Sequence, residues 1–250
     1  HEEALGRFGR ALELEPDHRN SLMGMASSYR SLGRLEDALT GYRRLLEVAG
    51  HHTGASLAIA DIEVERGRFE EAAAALGSAV EGSEAPALLH NRLGEVRARQ
   101  GRLDEAVALF EEAAAENDSF ATPHFNLAVL AEDRGQLDAA VAHYERTIEL
   151  APSYFQALFN LGRLVGGLGQ VDRQRQLWQA AIDSNPNFVQ GYYYLAKLLM
   201  DQGQDLDRAE ELVRLGISKD PSHNGGPLGY YVLADILNRV AYAKARVRIT

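Results

Sequence analysis

The sequence predicts an all-α chain of antiparallel helix pairs that repeat every 34 residues. Three observations carry this. Gly33, Gly67, Gly101, Gly135, Gly169 and Gly203 stand 34 residues apart without a slip. Amphipathic stretches with helical spacing lie on both sides of each glycine. All seven prolines fall where that parse starts or ends a helix. A fixed period of this length marks an array of like units, each burying its apolar faces against its neighbours.

The first element, Ala4–Leu14, is the second helix of an incomplete pair, so residues 1–18 form half a repeat. Six full repeats follow at 19–52, 53–86, 87–120, 121–154, 155–188 and 189–223. Each opens with a helix. In 121–154, His124, Leu127, Ala128 and Ala131 fall at i, i+3, i+4 and i+7, which is one helical face. The repeat glycine ends that helix, because only Gly takes the left-handed cap conformation without a Cβ penalty. The second helix then begins, as in GRLEDAL, GRFEEAA and GRLDEAV. In 121–154 its stripe is Leu137, Ala140, Val141, Tyr144 and Ile148. Pro16, Pro86, Pro152, Pro186 and Pro221 fall in the turn after a second helix, whereas Pro123 and Pro227 stand where a first helix starts. Asp205 reads as a one-residue insertion, and a second short insertion lies near Asn224–Gly226. A terminal helix from about 227, with a tail bearing Lys244, Arg246 and Arg248, completes 224–250.

Composition bounds the function classes. Apolar residues make up 46% of the 250, ordinary for a folded chain. No apolar run is long enough to insert in a membrane. The net charge of −10 argues against nucleic acid as the main ligand. No cysteine is present, which removes disulfides, thiolate metal sites and Cys nucleophiles and suits a reducing compartment such as the cytoplasm. Arginine far outnumbers Lys197, Lys219 and Lys244, which points to a GC-rich bacterial genome. No charged-then-apolar leader follows His1, and the chain reads as part of something longer.

A pair made of a large residue and a small one recurs in the first helices: Met25-Ala26, Ile59-Ala60, Leu93-Gly94, Leu127-Ala128, Leu161-Gly162, Leu195-Ala196 and Leu233-Ala234. The second helices carry a small residue at Ala4, Ala38, Ala72, Ala106 and Ala140. Four residues later comes Phe8, Tyr42, Leu76, Phe110 or Tyr144, and Trp178 stands at the same place in 155–188. Small residues are needed where helices approach closely, and large ones fill the adjoining hole. This pattern resembles the tetratricopeptide-repeat (TPR) signature over nearly the whole chain. The resemblance implies one solenoid over 1–250, with the helix pairs wound into a right-handed superhelix. Departures from it are Gln174 in the place of the small alanine, and Gly50, Glu84 and Asp118 in the place of the turn proline. Gly77 and Gly82, read into the second helix of 53–86, should make that repeat soft.

Catalytic chemistry finds little support. The cluster Gly162, Gly166, Gly167 and Gly169 ends a helix and follows no strand, so it is not a phosphate loop. It reads as a frayed or kinked first helix. His90 and His124 are one period apart, without a third ligand, and read as half-buried packing residues. His51 and His52 fall in a predicted turn and read as solvated. No Ser/His/Asp set or carboxylate pair stands in a recognisable motif. The expectation is a binding protein with no cofactor and no metal.

The resemblance further implies that the first helices line a concave groove, reached by the fifth, sixth and ninth residues of each repeat. On that basis the expected partner-binding residues are Asn91, Arg92, Phe125, Asn126, Phe159, Asn160, Arg163, Tyr193, Tyr194 and Lys197. They form an aromatic stripe, a short asparagine ladder and several cations. Asn has both a donor and an acceptor, so it can pair with a peptide unit whatever the side chain beside it. Asn126 and Asn160 resemble two rungs of the ladder in the TPR region of O-linked N-acetylglucosamine transferase. The carboxylate clamp that holds chaperone tails is not matched: starting from 87–120, its positions read Asn91, Glu95, Asn126, Gln156 and Asn160. The expected partner is therefore a protein or an extended peptide. Two alternatives remain. Terminal helices with apolar faces would make a homo-oligomer, the last one carrying Tyr230, Tyr231, Val232, Leu233, Ile236, Leu237 and Val240. The segments NPNFVQGYYYLAKLLMDQGQDLDRAEEL and PLGYYVLADILNR also resemble TPR tails of bacterial sulfatase-like proteins, which would make this a regulatory or targeting tail.

Overall fold

A computed structural model of the chain describes residues 1–203, 205–220 and 227–247, with side chains as far as Arg239. The turn expected at Pro221, the insertion near Asn224–Gly226, and the side chains of Val240 and the basic tail lie outside the described residues. Among those residues the secondary structure is helix and turn, with no strand. The chain divides into two compact units, 1–130 and 131–250, with the boundary inside one helix.

Unit 1 contains α1 (Glu2–Leu14), α2 (Arg19–Ser31), α3 (Leu35–Ala49), α4 (Thr53–Glu65), α5 (Phe69–Val80), α6 (Pro86–Arg99), α7 (Leu103–Glu116) and most of α8 (Ala121–Asp133). Unit 2 contains α9 (Leu137–Leu150), α10 (Phe155–Gly167), α11 (Val171–Ser184), α12 (Val189–Asp201), α13 (Leu206–Lys219) and α14 (Leu228–Val247). Within unit 1 the helices from α1 to α7, and within unit 2 those from α9 to α14, each pack on the next in sequence, and the first and second helices of a repeat touch most extensively.

The turn inside each repeat follows from its glycine. Gly33 has φ +73°, and its N–H donates to the Arg30 carbonyl while the next N–H, from Arg34, reaches back to Tyr29. These two bonds satisfy carbonyls that the end of α2 would otherwise leave unpaired. The same reach recurs from Arg68 to Glu63, Arg102 to Arg97, Gln136 to Ala131 and Gln170 to Val165. The helices that follow have Arg or Gln at the N-cap and no side-chain cap. Acids in the first turn, such as Glu36 and Asp37 in α3, instead complement the positive end of the helix dipole.

The turns between repeats are less uniform. His18 and His52 cap α2 and α4, each Nδ1 accepting a backbone N–H, from Ser21 at 3.2 Å and Ala55 at 3.1 Å. His52 is therefore a structural cap and not a solvated turn residue. Pro86 heads α6 and does not sit in the preceding turn. Gly82 lies beyond the end of α5, so only Gly77 is inside that helix. The extra Asp205 adopts φ +42°, a left-handed conformation that Asp tolerates, and its carboxylate accepts the Arg208 N–H at 3.1 Å.

The cores follow the large-and-small pattern. In unit 1, Ala26, Ala38, Tyr42, Ile59, Leu76, Ala106 and Phe110 are buried; in unit 2, Ala140, Tyr144, Leu161, Trp178, Leu195 and Ala196 are. Phe110 packs where a β-carbon on Gly94 would stand 2.6 Å from its ring. The glycine cluster is not a frayed helix end. α10 runs regularly to Gly167, Gly162 makes room for Trp178, and Gly166 makes room for the amide of Gln174. The bulky Gln174 is thus accommodated by a missing side chain on the facing helix. In α14, Val232 and Ile236 are buried, whereas Tyr231 is 71% exposed and Leu237 is exposed.

Candidate partner-binding surface

In unit 1 the first helices α2, α4, α6 and α8 carry a continuous polar chain. Arg30 bonds to Asp61 at 3.4 Å, and Asp61 also accepts from Arg92. Arg92 turns to Glu95 at 2.7 Å, Glu95 accepts from Asn91 at 2.9 Å, and Asn91 accepts from Asn126 at 3.0 Å. Burial works against the Arg92 charge, but Glu95 and Asp61 outweigh it, so its pKa is raised. Two cavities open along this strip. One, of about 260 Å³, is bordered by Arg30, Asp61, Arg92, Glu95 and Arg99 among others. The other, of about 220 Å³, is bordered by Glu95, Ala98, Arg99, Phe110, Asn126, Val129 and Leu130.

In unit 2 the first helices α10 and α12 present aromatic side chains. Phe159 stacks on Trp178 with ring centroids 5.6 Å apart and meets Phe188 and Tyr194 edge-on at 5.0 and 5.3 Å. Trp178 is anchored by its indole N–H, which donates to the Phe159 carbonyl at 3.0 Å. Tyr194 stays 39% exposed and gives the cluster an accessible face. Beside it, the Tyr144 hydroxyl donates to Glu132 at 3.1 Å and accepts from Asn160 at 3.3 Å, and Glu132 also binds Arg163. Burial, followed by the Glu132 charge, pushes the Tyr144 phenol well above its usual pKa.

The ten expected site residues separate into groups. Asn91 and Tyr193 do not present a surface: each is only 2% exposed. Asn91 is a strut between Glu95 and Asn126. Tyr193 fills the core over Gly216 and Gly229, where β-carbons would collide with its ring. Arg92 and Asn126 lie on the unit 1 strip, and Phe125 on the same helix as Asn126 is half-buried. Phe159, Asn160, Arg163 and Tyr194 lie on the unit 2 surface; Lys197, on the same helix as Tyr194, pairs with Asp201 at 2.8 Å. The expected asparagine ladder is altered, since Asn126 and Asn160 each spend one N–H inside the protein.

Arg30, Asp61, Glu95, Arg99 and Glu132 were not among the expected site residues. A signal for most of them was present. Arg30 to Asp61, Asp61 to Arg92 and Glu132 to Arg163 are all 31 residues apart, one period less about one helical turn. His90, expected as a packing residue, is half-buried and pairs with Glu116 at 2.9 Å. Among the described residues no group of three His, Asp or Glu side chains is arranged to hold a metal ion, and no helix is long and apolar enough to cross a membrane.

A family model described as tetratricopeptide repeat matches residues 1–51, 57–121 and 166–224, and one described as TPR repeat matches 133–169. The chain belongs to the tetratricopeptide-repeat family. No curated protein matches the sequence. Among solved structures, the chain is similar to YrrB, described as a TPR protein with an unusual peptide-binding site, at 21% identity and a TM-score of 0.54, covering 75% of this chain and 96% of that one. It is similar to PilF of Pseudomonas aeruginosa at 17% identity and a TM-score of 0.69, covering 85% of this chain and 95% of that one. The hetero-tetramer of Cut9 and Hcn1 gives 13% identity and a TM-score of 0.67, covering 94% of this chain but 46% of that one. At these identities the likeness is one of fold. The family is one of protein-interaction scaffolds, and the model that matches the last repeats is described as tetratricopeptide repeat and makes no mention of a sulfatase.

Proposed function

We propose that the chain is a non-catalytic scaffold that holds a protein or an extended peptide against its first helices. The observation that carries this is the unit 1 strip, where four first helices place polar side chains and two cavities on one surface. Cavities lined by arginines, carboxylates and an asparagine amide offer a partner both charge and hydrogen-bonding groups. Unit 2 supports the reading with Tyr194, since aromatic and Arg side chains dominate the binding energy of known interfaces. The similarity to YrrB, a peptide-binding TPR protein, agrees with it.

The test captures partners from the source organism's lysate with the purified chain. Arg92→Ala and Tyr194→Ala should each reduce capture of a given partner by roughly tenfold, with helicity unchanged by circular dichroism. Glu71→Lys and Glu111→Lys, exposed on second helices, should leave it intact. The opposite pattern would move the binding surface to the second helices and end this reading.

A second reading is self-association through α14, favoured by the exposure of Tyr231 and Leu237. Tyr231→Glu with Leu237→Glu should then lower the sedimentation coefficient of a wild-type oligomer without loss of helicity. A wild type that sediments as a monomer at high concentration would end it.

A further inference from the structure

We propose that the first-helix strip of unit 1 receives an extended segment carrying an acidic side chain next to a small aliphatic one, with Arg99 holding the carboxylate. This rests on the scaffold reading above and names the chemistry of its partner.

The cation balance of the strip points to Arg99. Arg30, Arg92 and Arg99 all border the cavity of about 260 Å³. Arg30 is paired with Asp61 and Glu65, and Arg92 with Asp61 and Glu95. Arg99 has no acid partner and no side-chain hydrogen bond among the described residues, although it is the arginine that borders both cavities. The lining is balanced in formal charge, but Asp61, Glu65 and Glu95 each already face the guanidinium of Arg30 or Arg92. Arg99 is the guanidinium in it with donors left over, which favours a carboxylate as the group that meets it. A guanidinium offers a fork of donors that matches a carboxylate.

The second cavity describes the neighbouring part of the occupant. Asn126 borders it and donates one amide N–H to Asn91, whose own amide is held by Glu95. Its carbonyl oxygen and its other N–H are unused among the described residues. One acceptor and one donor on a fixed amide complement a peptide unit. Ala98, Phe110, Val129 and Leu130 supply the rest of the lining, an apolar wall suited to a side chain such as Val. Arg99 borders both cavities, so a segment that fills both runs past it. The carboxylate is therefore a side chain within the segment and not its C-terminus.

The test is fluorescence anisotropy on the whole chain with fluorescein-labelled peptides. The first probe is C-terminally amidated Gly-Ser-Gly-Glu-Val-Gly-Ser-Gly. A second replaces its Glu with Gln, and a third is Gly-Ser-Gly-Gln-Val with a free C-terminus. The Glu probe should bind saturably and the Gln probe roughly tenfold more weakly. Arg99→Gln should lower affinity for the Glu probe to that for the Gln probe and leave the latter unchanged. It should also leave the thermal midpoint unchanged, because Arg99 is exposed and unpaired. The proposal is overturned by equal binding of the Glu and Gln probes, by an equal loss for both in Arg99→Gln, by no saturable binding of any probe, or by tightest binding of the free C-terminus. Partner capture separates this failure from that of the scaffold reading. Capture lost in Arg92→Ala, with the probes failing, sinks only the acidic-segment site. Capture indifferent to Arg92→Ala and Tyr194→Ala sinks both.

Discussion

Trp178 lies so close over Gly162 that a β-carbon on the glycine would stand 2.6 Å from the indole Cδ1. The ring cannot easily retreat, because its N–H is bonded to the Phe159 carbonyl and its face stacks on Phe159. Gly162→Ala should therefore destabilise the chain by about 1–3 kcal/mol through overpacking, outweighing the ~1 kcal/mol that Ala gains in a helix. Gly167, at the end of the same helix, has nothing near its β-position. Gly167→Ala should stabilise by about 0.5–1 kcal/mol. Urea midpoints that move in the same direction for both variants would refute this packing.

Ala140 is fully buried in α9, at the position where the repeat pattern carries a small residue. Ala140→Leu should cost about 1–3 kcal/mol. Chemical denaturation with an unchanged midpoint would contradict the register.

How much could be read in advance differs from level to level. The period, the cap glycines and the large-and-small core pairs were all legible, because each follows from a local rule that repeats. Gly166 was not legible, because the reason for it, the amide of Gln174, lies on another helix. Asn91 and Tyr193 were misplaced for a related cause. The fifth position of a first helix is open or buried according to what the neighbouring helices provide. At Tyr193 the glycines Gly216 and Gly229 open a hole that draws the ring inward. At Asn91, Glu95 and Asn126 take up the amide.

Burial raises the pKa values of the Tyr144, Tyr192 and Tyr193 phenols, most strongly Tyr144. A folded-state value above the unfolded one near ~10 means that stability is fully present below that pH. It is lost as pH rises through the folded values. Alkaline titration followed at the phenolate absorbance should show a late fraction, from Tyr144, Tyr192 and Tyr193, that ionises only together with loss of helicity. Tyr144→Phe should shrink that fraction, and a single early transition of all tyrosines would be the contrary result.

Arg92 with Glu95, Arg163 with Glu132 and Lys197 with Asp201 neutralise one another within each unit. No field of one sign covers either surface, so partner binding should depend only moderately on salt. Between 50 and 200 mM salt the affinity should fall by less than about tenfold, against the 10³ or more expected of a binder of many phosphates. Isothermal titration at the two ionic strengths checks this, and a steeper fall would show an electrostatic interface.

The alternation of charge through Arg30, Asp61 and Arg92 bears on how such an array can grow or shrink. Repeats of this fold are natural units of duplication and loss, since each contacts mainly its neighbours. Asp61 belongs to the repeat at 53–86, and the two arginines it joins belong to the repeats on either side. Glu95 stands 34 residues on from Asp61, so excising that repeat would set Glu95 beside Arg30 in its place. The pairing of a cation with the next repeat's acid would survive such a loss, because the carboxylate is copied along with the period. What the excision would remove is the bridge by which one carboxylate serves the arginines of two different repeats.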